Sequence, residues 1–169
     1  MRRLFYIIPL ILAALLAIPG AARADTYDQL AMDENTGWVL TSATSALDGN
    51  QVFIYQSFDN VNQEFAEVPE SPGTFLLKFH ILNTNTNQEM CIQDDNTEGT
   101  QLFLEPCAAI GNQLWRTVTF NDGHTGFQSI GAGTFNMALN NNDLTDFEAI
   151  INWHFVQNAA YEEMHFLGT

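Results

Sequence analysis

The 169-residue chain carries 5 Lys+Arg against 20 Asp+Glu, a formal net charge of −15. Arg2, Arg3 and Arg23 lie in its first 23 positions, so residues 25–169 set Lys78 and Arg116 against all 20 acidic groups, a net of −18. That balance excludes nucleic acid as a ligand and a polybasic membrane anchor, and 46% hydrophobic residues exclude a disordered chain.

Taken in order, the first element is a run from Leu4 to Ile18, apolar apart from the Tyr6 hydroxyl and preceded by Arg2-Arg3. Pro19-Gly20 breaks it, and Ala22-Arg23-Ala24 supplies small residues for a peptidase. Fifteen apolar residues fall short of the roughly 20 needed to span a bilayer. Residues 1–24 therefore read as a secretory signal peptide cleaved after Ala24, with a secreted or periplasmic product and no transmembrane anchor. Export into an oxidising compartment predicts that Cys91 and Cys107, the two cysteines of the chain, pair as a disulfide. The alternative is two buried free thiols.

Beyond the leader, Gly49–Phe65 (GNQVFIYQSFDNVNQEF) aligns without a gap, at an offset of 50, with Gly99–Trp115 (GTQLFLEPCAAIGNQLW). Each copy is a glycine turn, a short β-rich run (Gln51–Tyr55, Gln101–Glu105), a loop, and Asn-Gln-x-aromatic. A weaker third copy is placed at Ile151-Asn152-Trp153, with Phe135–Leu139 ahead of it corresponding to Glu89–Gln93. Turn clusters at Asp48-Gly49-Asn50, Asn83–Asn87 and Asn121-Asp122-Gly123 separate short strands about ten residues apart, which predicts an all-β domain. Three units of about 40–50 residues point to a β-trefoil, because one unit or two cannot close a barrel. The last segment, Asn158–Leu167, reads equally as an amphipathic turn or a strand.

Cys91-Ile92, Gly99, Gln101–Leu104, Cys107 and Asn112-Gln113-Leu114-Trp115 together resemble one repeat of the ricin B-type β-trefoil lectins. The resemblance spans about Thr36 to Gln157 and implies a single ricin B-like trefoil over residues 25–169, with short terminal extensions and carbohydrate or cell-surface binding without catalysis. In such repeats the tryptophan belongs to the core and the glutamine orders the backbone beside it, which is the role implied for Trp115 and Gln113, Phe65 and Gln63, and Trp153. The family's sugar pockets use an Asp two residues past the first Cys, an aromatic platform two before the second Cys, and the Asn of the motif. In the second repeat these positions hold Gln93, Glu105 and Asn112, so only Asn112 matches. In the first, at the offset of 50, they hold Ala43, Tyr55 and Asn62, with Asp48 the nearest substitute for the missing Asp. The third, with Ile150 at the Asn position, reads as inactive. The carbohydrate-binding candidates are therefore Tyr55, Asn62, Gln63, Gln93, Asn112 and Gln113, with Tyr55 and Asn62 the best remnant; Tyr55 also reads as an ordinary strand residue.

The opening Met32–Ala43 (MDENTGWVLTSA), the unbridged first repeat and the Phe75–Phe79 strand before Asn/Thr-rich turns are similar to the binding subunits of cytolethal distending toxins, the C subunit more than the A. That resemblance implies a partner role: recognising a glycan or surface receptor and docking to a second trefoil and a nuclease-type subunit. The competing functions are a stand-alone lectin, a trefoil-type inhibitor, and a calcium-dependent glycoside hydrolase, for which no nucleophile arrangement is visible.

Other patterns carry less. Asp94–Gly99 with Glu105 approaches a calcium loop, but Gln101 stands where an apolar residue belongs and the flanks read as strand, which favours a solvated turn. His80, His124, His154 and His165 have no metal-binding spacing, so neither a metal nor another cofactor is expected. Phe58, Phe65, Phe75 and Phe79 are candidates for an exposed aromatic patch.

Overall fold

The computed structural model describes residues 25–131, 135–157 and 159–168; the predicted leader lies outside them. The described residues form twelve strands in one sheet, in three groups of four. The first group is β1 (Asp28–Met32), β2 (Asn35–Thr41), β3 (Phe53–Gln56) and β4 (Glu64–Ser71). The second is β5 (Thr74–Phe79), β6 (Met90–Gln93), β7 (Phe103–Pro106) and β8 (Leu114–Thr119). The third is β9 (Thr125–Ser129), β10 (Phe135–Leu139), β11 (Ile150–His154) and β12 (Met164–Phe166).

In each group the outer two strands join a six-stranded barrel and the inner two form a hairpin. β1 pairs with β4, β4 with β5, β5 with β8, and β8 with β9. β9 packs beside β12, which pairs with β1 through Leu30↔Phe166, Ala31↔His165 and Met32↔Met164. The hairpins β2–β3, β6–β7 and β10–β11 cover one end. There the Val52 N–H donates to the Leu102 carbonyl (2.8 Å), Leu102 N–H to Ile150 (2.8 Å), and Ile150 N–H back to Val52 (3.2 Å). The fold is a β-trefoil. This ring of three hydrogen bonds makes Val52, Leu102 and Ile150 equivalent, and all three are fully buried under the cap.

The core follows from the repeated apolar positions. Phe65 and Trp115, both fully buried, stand at the head of β4 and β8, and Trp115 Nε1 donates to the Ile92 carbonyl (3.1 Å). Phe75 and Phe79 are also buried, so the proposed aromatic patch is corrected: of its four members only Phe58 is exposed. β4 and β5 pair along Phe65↔Phe79 through Ser71↔Thr74 and turn their apolar side chains into the barrel. Cys91 and Cys107 form the predicted disulfide, tying β6 to the loop after β7. Among the described residues no helix is long and apolar enough to cross a membrane.

The third repeat runs in a different register from the one read in the sequence. In the first two copies a short 3-10 helix (Val61–Gln63, Gly111–Gln113) carries the Asn-Gln pair into the fourth strand. The corresponding helix is Ala160–Glu162, followed by β12. Asn-Gln-x-aromatic is therefore replaced by Tyr161-Glu162-Glu163-Met164, and within the undecided last segment Met164–Phe166 supplies the closing strand of the barrel. Ile151-Asn152-Trp153 belongs to β11 instead. By hairpin register Trp153 pairs with Asn136 as Tyr55 pairs with Val39 and Glu105 with Cys91. Trp153 thus occupies the platform position of its repeat, and Phe135–Leu139 corresponds to Met90–Asp94, one residue on from the predicted alignment.

Candidate functional site

The two motif glutamines act alike. Gln63 Oε1 accepts from the Phe58 N–H (2.9 Å), and Gln113 Oε1 from the Ala108 N–H (2.7 Å). Gln63 Nε2 donates to the Gln56 carbonyl (2.8 Å), and Gln113 Nε2 to that of Pro106 (3.0 Å). Both are buried braces of the loop after the third strand. Their remaining contacts locate the first position of the sugar triad. Gln63 donates to Thr41 Oγ1 (3.2 Å), whereas Gln113 donates to Gln93 Oε1 (2.8 Å). Thr41, not Ala43, is therefore the counterpart of Gln93, because the turn between β2 and β3 is two residues longer than that between β6 and β7. Asp48 does not reach this place: its Oδ1 accepts from Asn83 Nδ2 (2.7 Å).

Tyr55, Asn62 and Gln63 line one cavity of about 240 Å³, together with Thr41, Phe53, Phe58, Asn60 and Phe147. Gln63 is its floor. Asn62 is held there because its Nδ2 donates to the Ser42 carbonyl (3.2 Å), while the Ser42 N–H donates to the Asn62 carbonyl (3.1 Å). The walls are aromatic: Tyr55 lies 5.7 Å from Phe58 and 5.0 Å from Phe147 between ring centroids, and Phe53 lies 5.2 Å from Phe147. Phe58 and Phe147 are 63% and 67% exposed, so the cavity opens between two rings that the fold leaves in water.

Phe147 was not singled out from sequence, and its backbone shows why it matters. It donates its N–H to the Ile54 carbonyl (3.0 Å), as Gly49 does to Leu104 (2.8 Å) and Gly99 to Asn152 (2.7 Å). The three residues are equivalent and share a left-handed backbone, with φ of 78° at Gly49, 81° at Gly99 and 67° at Phe147. Two repeats use glycine, which adopts this region freely; the third places a bulky residue there at a cost of about 1–2 kcal/mol. Strain of this kind gathers at functional positions.

The other repeats are equipped differently. In the second, Gln93 accepts from Gln113, and Asn112 Nδ2 donates to the Asp94 carbonyl (3.0 Å) as Asn62 does to that of Ser42, so the difference lies in the platform. Glu105 takes the platform position, its carboxyl raised above the usual range by burial and by nearby Asp48. A carboxylate offers no stacking face. In the third, Trp153, Tyr161, Asn140 and Asn141 line a cavity of about 250 Å³. Here Gly99 stands where Phe147 stands in the first site, and a β-carbon on it would lie 3.6 Å from the Trp153 ring. The reading of this repeat as inactive rested on Ile150 at the Asn position, and Ile150 is instead a core residue under the cap.

The acidic segment 94–98 is occupied with its own turn. Asp94 Oδ1 accepts from the Asn96 N–H (2.7 Å), Asp95 Oδ1 from the Thr97 N–H (2.9 Å), and Glu98 pairs with His154. Lys78 is buried between Asp25 and Glu89, which leaves Arg116 as the exposed Lys or Arg among the described residues.

No protein-family model matches the sequence, and no curated protein matches it. Solved structures do. A designed three-fold symmetric protein, ThreeFoil, superposes with a TM-score of 0.72 at 17% identity, over 85% of this chain and 99% of that one. A chain of the cytolethal distending toxin of Haemophilus ducreyi gives 0.62 at 14% identity, over 83% and 81%. The C-half of an earthworm R-type lectin, solved in complex with GalNAc, gives 0.57 at 12% identity, over 82% and 95%. At these identities the likeness is one of fold: a lectin-like β-trefoil.

Proposed function

We propose that this chain is an exported, non-catalytic lectin-like subunit that binds a neutral glycan, or a receptor bearing one, in the cavity walled by Tyr55, Phe58 and Phe147. The observation that carries the reading is the exposed Phe147 ring, held at a strained backbone position beside the platform Tyr55. Aromatic rings stack on the apolar face of a sugar, and amide groups such as those of Asn60 and Asn62 bond its hydroxyls. The net charge of −18 beyond the leader disfavours sialylated or sulfated ligands. The Trp153 cavity is a second, weaker site of the same chemistry, since its platform is aromatic and its Asn140 amide already donates to Glu148 (2.9 Å).

The fold shared with a cytolethal distending toxin chain supports a further step, that the subunit docks to a second trefoil and a nuclease-type subunit and helps deliver it. So acidic a surface suits a basic companion.

The test is a glycan array with the wild-type chain, Tyr55→Ala and Trp153→Ala. Binding to neutral galactose-type glycans that falls about tenfold or more in Tyr55→Ala is expected. Binding to no glycan refutes the lectin reading, and binding lost only in Trp153→Ala moves the site to the third repeat. A chromosomal neighbourhood without a nuclease-type subunit refutes the delivery role alone.

A further inference from the structure

We propose that Asp33, His124 and Glu163 form a binding site for one zinc-class divalent cation at the seam of the barrel, with His165 positioning Asp33. The three come from distant parts of the chain: the β1–β2 turn, the β8–β9 turn, and the junction between the Ala160–Glu162 helix and β12. Their donor atoms all lie within 4.8 Å of one another. Asp33 Oδ2 meets His124 Nδ1 at 2.7 Å, and its other oxygen, Oδ1, is bonded by His165 Nδ1.

The frame around the donors is fixed by backbone bonds. The Asp33 N–H donates to the Glu163 carbonyl (2.9 Å), and the Phe120 N–H to that of His124 (2.9 Å). The His124 N–H donates to Asp122 Oδ1 (3.1 Å), and Thr125 Oγ1 to the Met164 carbonyl (3.1 Å). The groups are therefore gathered before any ligand arrives.

Charge supplies the reason for a cation. The Asp33 side chain and Glu163 are each only 7% exposed, and a third carboxylate, Asp122, is bonded by the His124 N–H. Lys78 is engaged by Asp25 and Glu89, and Arg116 bonds Gln128. Among the described residues, the side chains that bond the Asp33 carboxylate are thus His124 and His165, on a chain with a large acidic excess. Two carboxylates and one imidazole form a mixed O/N set, which suits zinc better than the all-oxygen shells of calcium or magnesium. The ion takes the place of the proton between Asp33 Oδ2 and His124 Nδ1, and that proton passes to solvent through the half-exposed imidazole. His165, bonded to the opposite oxygen of Asp33, orients the carboxylate from outside.

The experiment is isothermal titration of the EDTA-stripped full chain with ZnCl2, with MgCl2 as control, followed by thermal unfolding in each metal. One saturable zinc per chain and a rise in Tm with zinc but not magnesium are expected. Because His124 is exposed, His124→Ala keeps the fold, and it should abolish the saturable site; Glu163→Gln should do the same. His165→Ala should keep the stoichiometry and weaken the affinity about 10–100-fold. His80→Ala and His154→Ala, whose histidines pair with Glu64 and Glu98, should leave the affinity unchanged. The site is overturned by a chain that binds no zinc saturably, by equal effects of magnesium, or by loss of binding in His80→Ala or His154→Ala with His124→Ala intact. An unchanged affinity in His165→Ala removes its positioning role.

Discussion

Replacing Phe147 separates strain from packing. With 67% of the residue in water, about a third of an aromatic side chain is buried, on the order of 70 Å² or about 1.7 kcal/mol at 25 cal/mol per Å². Phe147→Ala loses that burial and keeps the strain, because alanine is also disfavoured at a φ of 67°. Phe147→Gly loses the same burial but recovers about 1–2 kcal/mol of strain, against about 0.5–1 kcal/mol of extra chain entropy in the unfolded state. The glycine variant should therefore be more stable than the alanine variant by about 0.5–1 kcal/mol, the reverse of the usual order, or about 2–4 °C in Tm for a domain of this size. Both should bind the glycan of the wild-type chain at least about tenfold more weakly. Urea unfolding and glycan titration of the pair measure the two quantities. If alanine is the more stable, the left-handed assignment is wrong; if both variants bind like wild type, the ring is not part of the site.

Two further changes test the scaffold. The Cys91–Cys107 bridge closes a loop of 17 residues, so Cys91→Ser/Cys107→Ser should cost about 3 kcal/mol in urea unfolding, and an unchanged midpoint would mean the bridge constrains nothing in the unfolded chain. Asp94 is buried with its Oδ2 lacking a hydrogen bond, and burial raises its carboxyl, with Asp95 adding to the effect and the nearby Ser129 hydroxyl and Asn96 N–H opposing it. The folded chain then holds this proton more tightly than the unfolded one, so stability present in acid is lost as the pH rises through and above the carboxylate range. Asp94→Asn should match wild type near pH 3–4 and exceed it at pH 7; a wild-type advantage that grows with pH would overturn this reading.

The first two repeats were legible because each kept the residues that do the same physical work. Gly49 and Gly99 hold the left-handed turn, Gln63 and Gln113 brace the loop, and Phe65 and Trp115 fill the core. The third repeat was misread because all three signals changed at once, to Phe147, Glu162 and Met164. The Glu162 carboxylate still accepts from a loop N–H, that of Val156, at 3.1 Å, but it also takes a buried bond from Asn136. With the glutamine gone, Trp153 was the conspicuous aromatic, and it drew the alignment to the wrong strand. Thr41 was missed for a smaller reason: a two-residue difference in hairpin length is invisible to a gap-free match. Phe147 meets Tyr55 across a repeat boundary, and Asp33, His124 and Glu163 meet across the whole chain. Neither grouping has a sequence spacing to find.

The ring of backbone hydrogen bonds joining Val52, Leu102 and Ile150 has a kinetic consequence. Two of its links span about 50 residues of chain and the third, between Ile150 and Val52, spans 98, so the ring closes only when all three hairpins are in place. No repeat closes the ring on its own, and contacts so distant in sequence make assembly slow relative to a helical domain of equal length. A chain that closes late presents its unpaired hairpins to its surroundings for longer. Its large negative charge then keeps unfinished copies apart while the last strand, β12, finds its place beside β1.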